Sequence, residues 1–162
     1  MDLERLWTPW RMEYMSSMGA DSGSCFFCEA LQADKDEELL VLHRGESAFV
    51  IMNAFPYNTG HVMIAPMRHS GDLSELEPAE RSELMELTNR TIDVIKEAIG
   101  PEGFNTGMNL GRIAGAGVPG HLHVHVVPRW AGDTNFMPIV GRTKVLPELL
   151  TDTAAKLRPG FS

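Results

Sequence analysis

Cysteine is scarce: the chain of 162 residues has two, Cys25 and Cys28. A single pair makes no disulfide framework, and the default compartment is the reducing cytoplasm. Long apolar runs are lacking as well. No stretch approaches the ~20 residues of a membrane helix. The start, Met1 to Met15, carries Asp2, Glu4, Arg5, Arg11 and Glu13 where a signal peptide has its apolar core. Neither membrane insertion nor secretion is therefore expected. Basic clusters are missing too, with 14 Lys and Arg against 22 Asp and Glu and a net charge of −8. Nucleic acid is held by clustered cations that neutralise phosphate, so it is not an expected partner. An anionic substrate would need local donors that overcome the global field.

What remains has the size and composition of one compact domain, 43% hydrophobic and 22% charged. Residues 1–24 read as an N-terminal arm and linker. The arm Leu6-Trp7-Thr8-Pro9-Trp10-Arg11-Met12 carries large apolar side chains that need a surface to dock on, and the linker is the Gly/Ser-containing stretch Ser16 to Ser24. Residues 25–162 read as the body. Strands are expected over Leu39–His43 and Ala48–Met52, joined as a hairpin, and over His61–Ala65, stopped by Pro66. Asp72–Glu77 suggests one helical turn. From Pro78, Leu84, Leu87, Ile92, Ile95 and Ile99 mark one face of a long amphipathic helix ended by Gly100-Pro101. A fourth strand is expected over Phe104–Leu110 and a fifth over His121–Val127, stopped by Pro128. The glycine-rich loop Gly111–Gly120 lies between them, and a closing helix is expected over Leu146–Leu157. Five short strands with one long helix between the third and fourth make an α+β domain on a mostly antiparallel sheet.

The fifth strand carries the chemistry. In His121-Leu122-His123-Val124-His125-Val126-Val127, alternation puts three of the six histidines on one face, ~6–7 Å apart, and the aliphatic residues on the other. A polar face in water would take Thr, Lys or Glu more readily than three histidines. A metal site made by the triad alone would need further ligands. Neutral imidazole is both nucleophile and proton carrier. The glycine-rich loop before it offers backbone N–H groups to phosphate oxygens. A nucleophile beside an anion cradle suits phosphoryl or nucleotidyl transfer.

This segment resembles the H-φ-H-φ-H-φ-φ signature of the histidine-triad (HIT) superfamily, φ being apolar. Asn53, Gly60-His61-Val62-Met63-Ile64 and Pro66-Met67-Arg68-His69 resemble the upstream half of the same family. The resemblance implies a HIT-like fold, with a half-barrel sheet, one long helix and a C-terminal helix, working as a two-fold homodimer on nucleotides. It makes His123 the nucleophile that becomes a covalent nucleotidyl-histidine. It places His125 on the phosphate, Asn109 on the phosphate or the ribose, Asn53 on the ribose, His61 beside the site and Gly117 in the phosphate loop. The orienting partner of His123 is expected to be a backbone carbonyl, since no carboxylate is placed to serve.

Cys25-Phe26-Phe27-Cys28 by itself reads as a redox pair, a zinc half-site or two buried small residues. The resemblance adds His69 and His121, because some relatives pair two cysteines with these positions. It thus implies a closed Cys₂His₂ set holding a structural zinc, with no metal required for the chemical step. His43 has no role beyond a surface strand end.

Within the superfamily, the arm and the run His125-Val126-Val127-Pro128-Arg129-Trp130 resemble bacterial diadenosine tetraphosphate phosphorylases. Val118 stands where hydrolases and phosphoramidases carry Ser or Thr. The expected substrate is a dinucleoside polyphosphate and the second nucleophile inorganic phosphate, with Arg112, Arg129, Arg142 and Lys144 as nearby cations. The alternatives are a general nucleotide hydrolase or adenosine phosphoramidase, and a zinc-stabilised nucleotide-binding module without turnover.

Overall fold

A computed structural model describes residues 25–33, 35–134 and 145–162. The N-terminal arm, its linker, Arg142 and Lys144 lie outside the described residues. Chain order is α1 (Phe26–Gln32), β1 (Val41–Arg44), β2 (Ala48–Met52), β3 (Val62–Pro66), α2 (Pro78–Ile99), β4 (Gly103–Met108), β5 (Val124–Arg129) and α3 (Leu150–Leu157). The strands form one open sheet in the order β1-β2-β3-β5-β4, every neighbouring pair antiparallel.

Strand alternation divides the interior in two. Ala48, Val50, Met52, Val62, Ile64, Leu122, Val124 and Val126 face α2 and α3, where they meet Leu84, Leu87, Val94, Ile95 and Leu157. Phe49, Ile51, Met63 and Ala65 face the other way and bury Phe27 and Ala30 of α1. β2 and β3 are therefore buried on both faces.

α2 keeps the expected bounds because both ends are chemically marked. Glu77 and Glu80 form a reciprocal capping box around Pro78, and Gly100 closes the helix at φ 57°, donating its N–H to the Lys96 carbonyl at 3.2 Å. Its buried face differs from the aliphatic stripe. Thr88, Thr91 and Val94 fill the gap between Leu87 and Ile95, while Ile92 and Ile99 are only partly buried. Thr88 satisfies its hydroxyl on the Leu84 carbonyl at 2.7 Å.

Several strand bounds need correction. β3 starts at Val62 and includes Pro66. β5 starts at Val124 and runs through Pro128 to Arg129, so His121 and His123 precede the ladder. Proline is tolerated there because β3 pairs with β5 only as far as Val126. The Pro128 carbonyl accepts the Asn58 amide at 3.0 Å. β4 ends at Met108, leaving Asn109 and Leu110 in the loop that follows. α3 begins at Leu150 instead of Leu146: Pro147 disfavours helical geometry at Leu146, and the N-cap Leu149 is extended at φ −71° and ψ 148°.

α1 is an element the sequence reading lacks. Cys25 is its N-cap, and its C-terminal carbonyls are held from β1. The Arg44 guanidinium donates to Leu31 and Ala30 at 2.9 Å and to Ala33 at 3.2 Å, while Asp36 binds its other edge.

Candidate functional site

The site grows from the stretch leading into β5. Leu122 and Val124 anchor it in the core, and the Leu122 N–H donates to the Ser70 carbonyl at 2.7 Å. The alternate residues turn to the other face, where each histidine finds a partner that settles its protonated nitrogen.

His121 is fully buried and its Nε2–H donates to the Pro66 carbonyl at 2.8 Å. Its Nδ1 lone pair therefore faces Cys25 Sγ at 3.3 Å and Cys28 Sγ at 3.6 Å. His69 Nδ1 lies 3.3 Å from Cys28 Sγ. The four ligand atoms all lie within 4.8 Å of one another. Zinc bonds of ~2.3 Å to sulfur and ~2.0–2.1 Å to nitrogen, at tetrahedral angles, place S and N ~3.5 Å apart. The three observed separations bracket that edge, and the donor set is the one zinc favours. Burial, then the neighbouring Cys25, pushes the Cys28 thiol above its ordinary 9.0. A divalent cation relieves that cost by compensating both thiolates.

His123 is buried, and its Nδ1–H donates to the carbonyl of His121 at 2.8 Å. The lone pair is left on Nε2. Burial holds the imidazole below its ordinary 6.5, opposed by the bond to that carbonyl, so the ring is neutral at pH 7. Phe27 packs its ring against His121 and His123, with centroids at 4.9 and 5.1 Å.

A second chain of hydrogen bonds reaches His125. The Tyr57 backbone N–H donates to His61 Nδ1 at 2.9 Å. His61 must then carry its proton on Nε2, which donates to His125 Nδ1 at 3.0 Å. His125 in turn carries its proton on Nε2. Its ring centroid stands 4.8 Å from that of His123, a ring bearing its proton on Nε2 beside one with its lone pair there.

Asn53 joins this group: its N–H donates to the His61 carbonyl at 2.9 Å, and its amide nitrogen lies 3.4 Å from His61 Nδ1. Its side-chain oxygen accepts the Phe55 N–H at 2.9 Å, which is also the turn chemistry of an Asx residue. Asn109 is half-buried just beyond β4, and Gly117 sits in the glycine-rich loop between buried Ala116 and half-buried Val118. Arg112 is exposed where that loop makes a single 3₁₀ turn. Arg129 departs from the expected anion ligand: Asp133 holds its Nε and Nη2 at 2.5 and 2.8 Å, so its charge is already matched. His43 is not a bare surface residue, since its ring stacks on Phe161 at 5.7 Å.

The fold thus brings Cys25, Cys28, His69 and His121 into one cluster, and Asn53, His61, His123 and His125 into another. His121 belongs to both, the first through its ring and the second through its carbonyl. The sequence reading missed Tyr57 and the Pro66 carbonyl, because main-chain partners leave no trace in residue identity. The three-residue spacing of the cysteines, one helical turn, was the available signal for α1.

The HIT domain profile matches residues 35–132. The chain belongs to the HIT family. It is 46% identical to an AP-4-A phosphorylase of Mycobacterium tuberculosis, over 93% of this chain and 80% of that protein. It is 28% identical to an adenosine 5′-monophosphoramidase of Schizosaccharomyces pombe, over 65% of this chain and 74% of that protein. A crystal structure of a Zn-bound histidine triad family protein from Mycobacterium smegmatis superposes with a TM-score of 0.69 at 25% identity, covering 86% of this chain and 94% of that one. Among the described residues, no helix is long and apolar enough to cross a membrane.

Proposed function

We propose that this HIT protein cleaves dinucleoside polyphosphates by attack of His123 Nε2 on a nucleoside α-phosphorus, and that inorganic phosphate then takes the nucleotide from the histidine. The observation that carries the reading is the hydrogen bond from His123 Nδ1 to the His121 carbonyl, which leaves Nε2 unprotonated on a neutral, buried ring. The Nε2–P bond forms as the bond from phosphorus to the bridging oxygen breaks, and the departing nucleotide keeps that electron pair. His125, with its proton on Nε2, donates to an oxygen of the α-phosphate as charge develops. Asn53 bonds the ribose, while Asn109 and main-chain N–H groups of the loop around Gly117 hold the remaining phosphate oxygens. In the second step a phosphate oxygen attacks phosphorus, the P–N bond breaks, and His123 recovers its lone pair with its Nδ1 proton unmoved.

Cys25, Cys28, His69 and His121 would hold a zinc ion. When bound it cross-links α1 to the segment entering β5 and supplies no chemistry to the reacting phosphate. The 46% identity to an AP-4-A phosphorylase and the apolar Val118 in the loop both favour phosphate over water in the second step.

Incubation of diadenosine tetraphosphate with labelled inorganic phosphate tests this. ATP plus labelled ADP is expected. AMP plus ATP, formed without phosphate dependence, would replace phosphorolysis by hydrolysis.

A further inference from the structure

The face that presents the histidines does not end at His125. Alternation along β5 puts Val127 and Arg129 on the same face, about 7 and about 13 Å farther on. β4 borders them, with Gly107 opposite His125, Asn105 opposite Val127 and Gly103 opposite Arg129. Among the described residues, a Cβ added at Gly107 or Gly103 would meet nothing within 4 Å, so no described side chain fills the space above these positions. A cavity of about 240 Å³ lies there, lined by Tyr57, Asn105, Val127, Arg129, Asp133 and Thr134 among others. Tyr57 connects it to the site, its ring tilted over His61 at 4.7 Å and His125 at 5.8 Å.

The chemistry of the walls selects the occupant. A phosphate needs net positive charge, and Arg129 has surrendered its own to Asp133. What Arg129 retains is a flat guanidinium, fixed by Asp133 and by Asn105 Oδ1, which accepts from Nη1 at 2.6 Å. A fixed guanidinium plane and an exposed tyrosine are stacking surfaces for a planar heterocycle. Val127 supplies an apolar floor, while the Asn105 amide and the Thr134 hydroxyl supply neutral donors and acceptors. The volume is below the ~300–1,000 Å³ of pockets that hold whole ligands, and suits one ring system.

We propose that this cavity receives the distal nucleobase of a dinucleoside polyphosphate, the base on the departing nucleotide. The inference rests on the reading of His123 as the nucleophile: the α-phosphate lies by His123 and His125, and the remaining phosphates cross the open strip above Gly107. The site would thereby distinguish dinucleotides from mononucleoside polyphosphates.

The test compares dissociation constants for diadenosine tetraphosphate and adenosine tetraphosphate on the full-length, metal-loaded His123→Ala protein, which cannot turn either over. The dinucleotide should bind about tenfold more tightly, the contribution of one stacked base. Adding Asn105→Trp, which fills the cavity from an exposed strand position, or Tyr57→Ala, which removes its aromatic wall, should bring that ratio close to one. Equal affinities at the start, or a ratio that survives both substitutions, would overturn the distal site alone. Binding of neither compound would overturn the nucleotide reading itself, and the distal site with it.

Discussion

The carbonyl oxygen of His121 accepts the Nδ1 proton of His123 at 2.8 Å, while the ring of the same His121 faces the sulfurs of Cys25 and Cys28. One residue therefore belongs to the Cys₂His₂ cluster through its side chain and orients the proposed nucleophile through its main chain. A displacement of ~1 Å at a reacting atom can cost ~100-fold in rate, so the cluster and the chemistry should be coupled.

Metal loss tests that coupling. Cys25→Ser or Cys28→Ser should remove about one zinc per chain, as for a single four-ligand structural site, and lower Tm by several degrees. kcat should fall at least tenfold, with a smaller change in KM, because the nucleophile is misplaced while the phosphate donors remain. Elemental analysis, calorimetry and steady-state kinetics read the three effects. A metal-free variant with unchanged Tm would leave the half-buried cysteines with no ligand role.

His61 should act through His125. His61→Phe keeps the bulk but removes the donor that fixes the proton of His125 on Nε2. Loss of one such oriented donor costs ~100- to 1,000-fold in kcat. His61→Gln, which can still donate, should recover part of it. Equal activity in the Phe and Gln variants would show that His61 only fills space.

The stack of His43 on Phe161 should make stability depend on pH. Burial, followed by the charge of Arg90, lowers the His43 pKa below its ordinary 6.5. The unfolded chain then binds the proton more tightly than the folded one, so this contribution is present above about pH 6.5 and lost as pH falls through it. The fall in Tm between pH 7.5 and pH 5 should be smaller in His43→Phe than in the wild type. Identical pH profiles would remove His43 from the account.

Gly71 should govern the glycine-rich loop. A Cβ there would lie 2.4 Å from the Pro119 carbonyl oxygen, so main chain must move. Gly71→Ala should displace the loop and raise KM severalfold. Unchanged kinetics would mean that the loop is not held by this contact.

Legibility in the sequence followed locality. β2 and α2 keep the bounds read from their residues, because turn residues, Pro78 and Gly100 mark their ends within a few positions. α1 was not legible: at seven residues it lacks a periodic stripe, and Arg44, from another element, closes its C-terminus. The alternation of His121, His123 and His125 was plain. That the first two precede the β5 ladder was not, since it reflects the Ser70 carbonyl and the cysteine sulfurs, both distant in sequence. Nor was the neutralisation of Arg129, which depends on Asp133 folding back across a turn.

The central claim is a covalent nucleotide on His123. Mixing the protein with diadenosine tetraphosphate in the absence of phosphate, quenching within a turnover and weighing the intact chain should show the mass gain of one adenylyl group. Fragmentation should place it on His123, and the His123→Ala protein should show none. An unmodified chain that nonetheless releases product at full rate, or an adduct that persists in His123→Ala, would contradict the account.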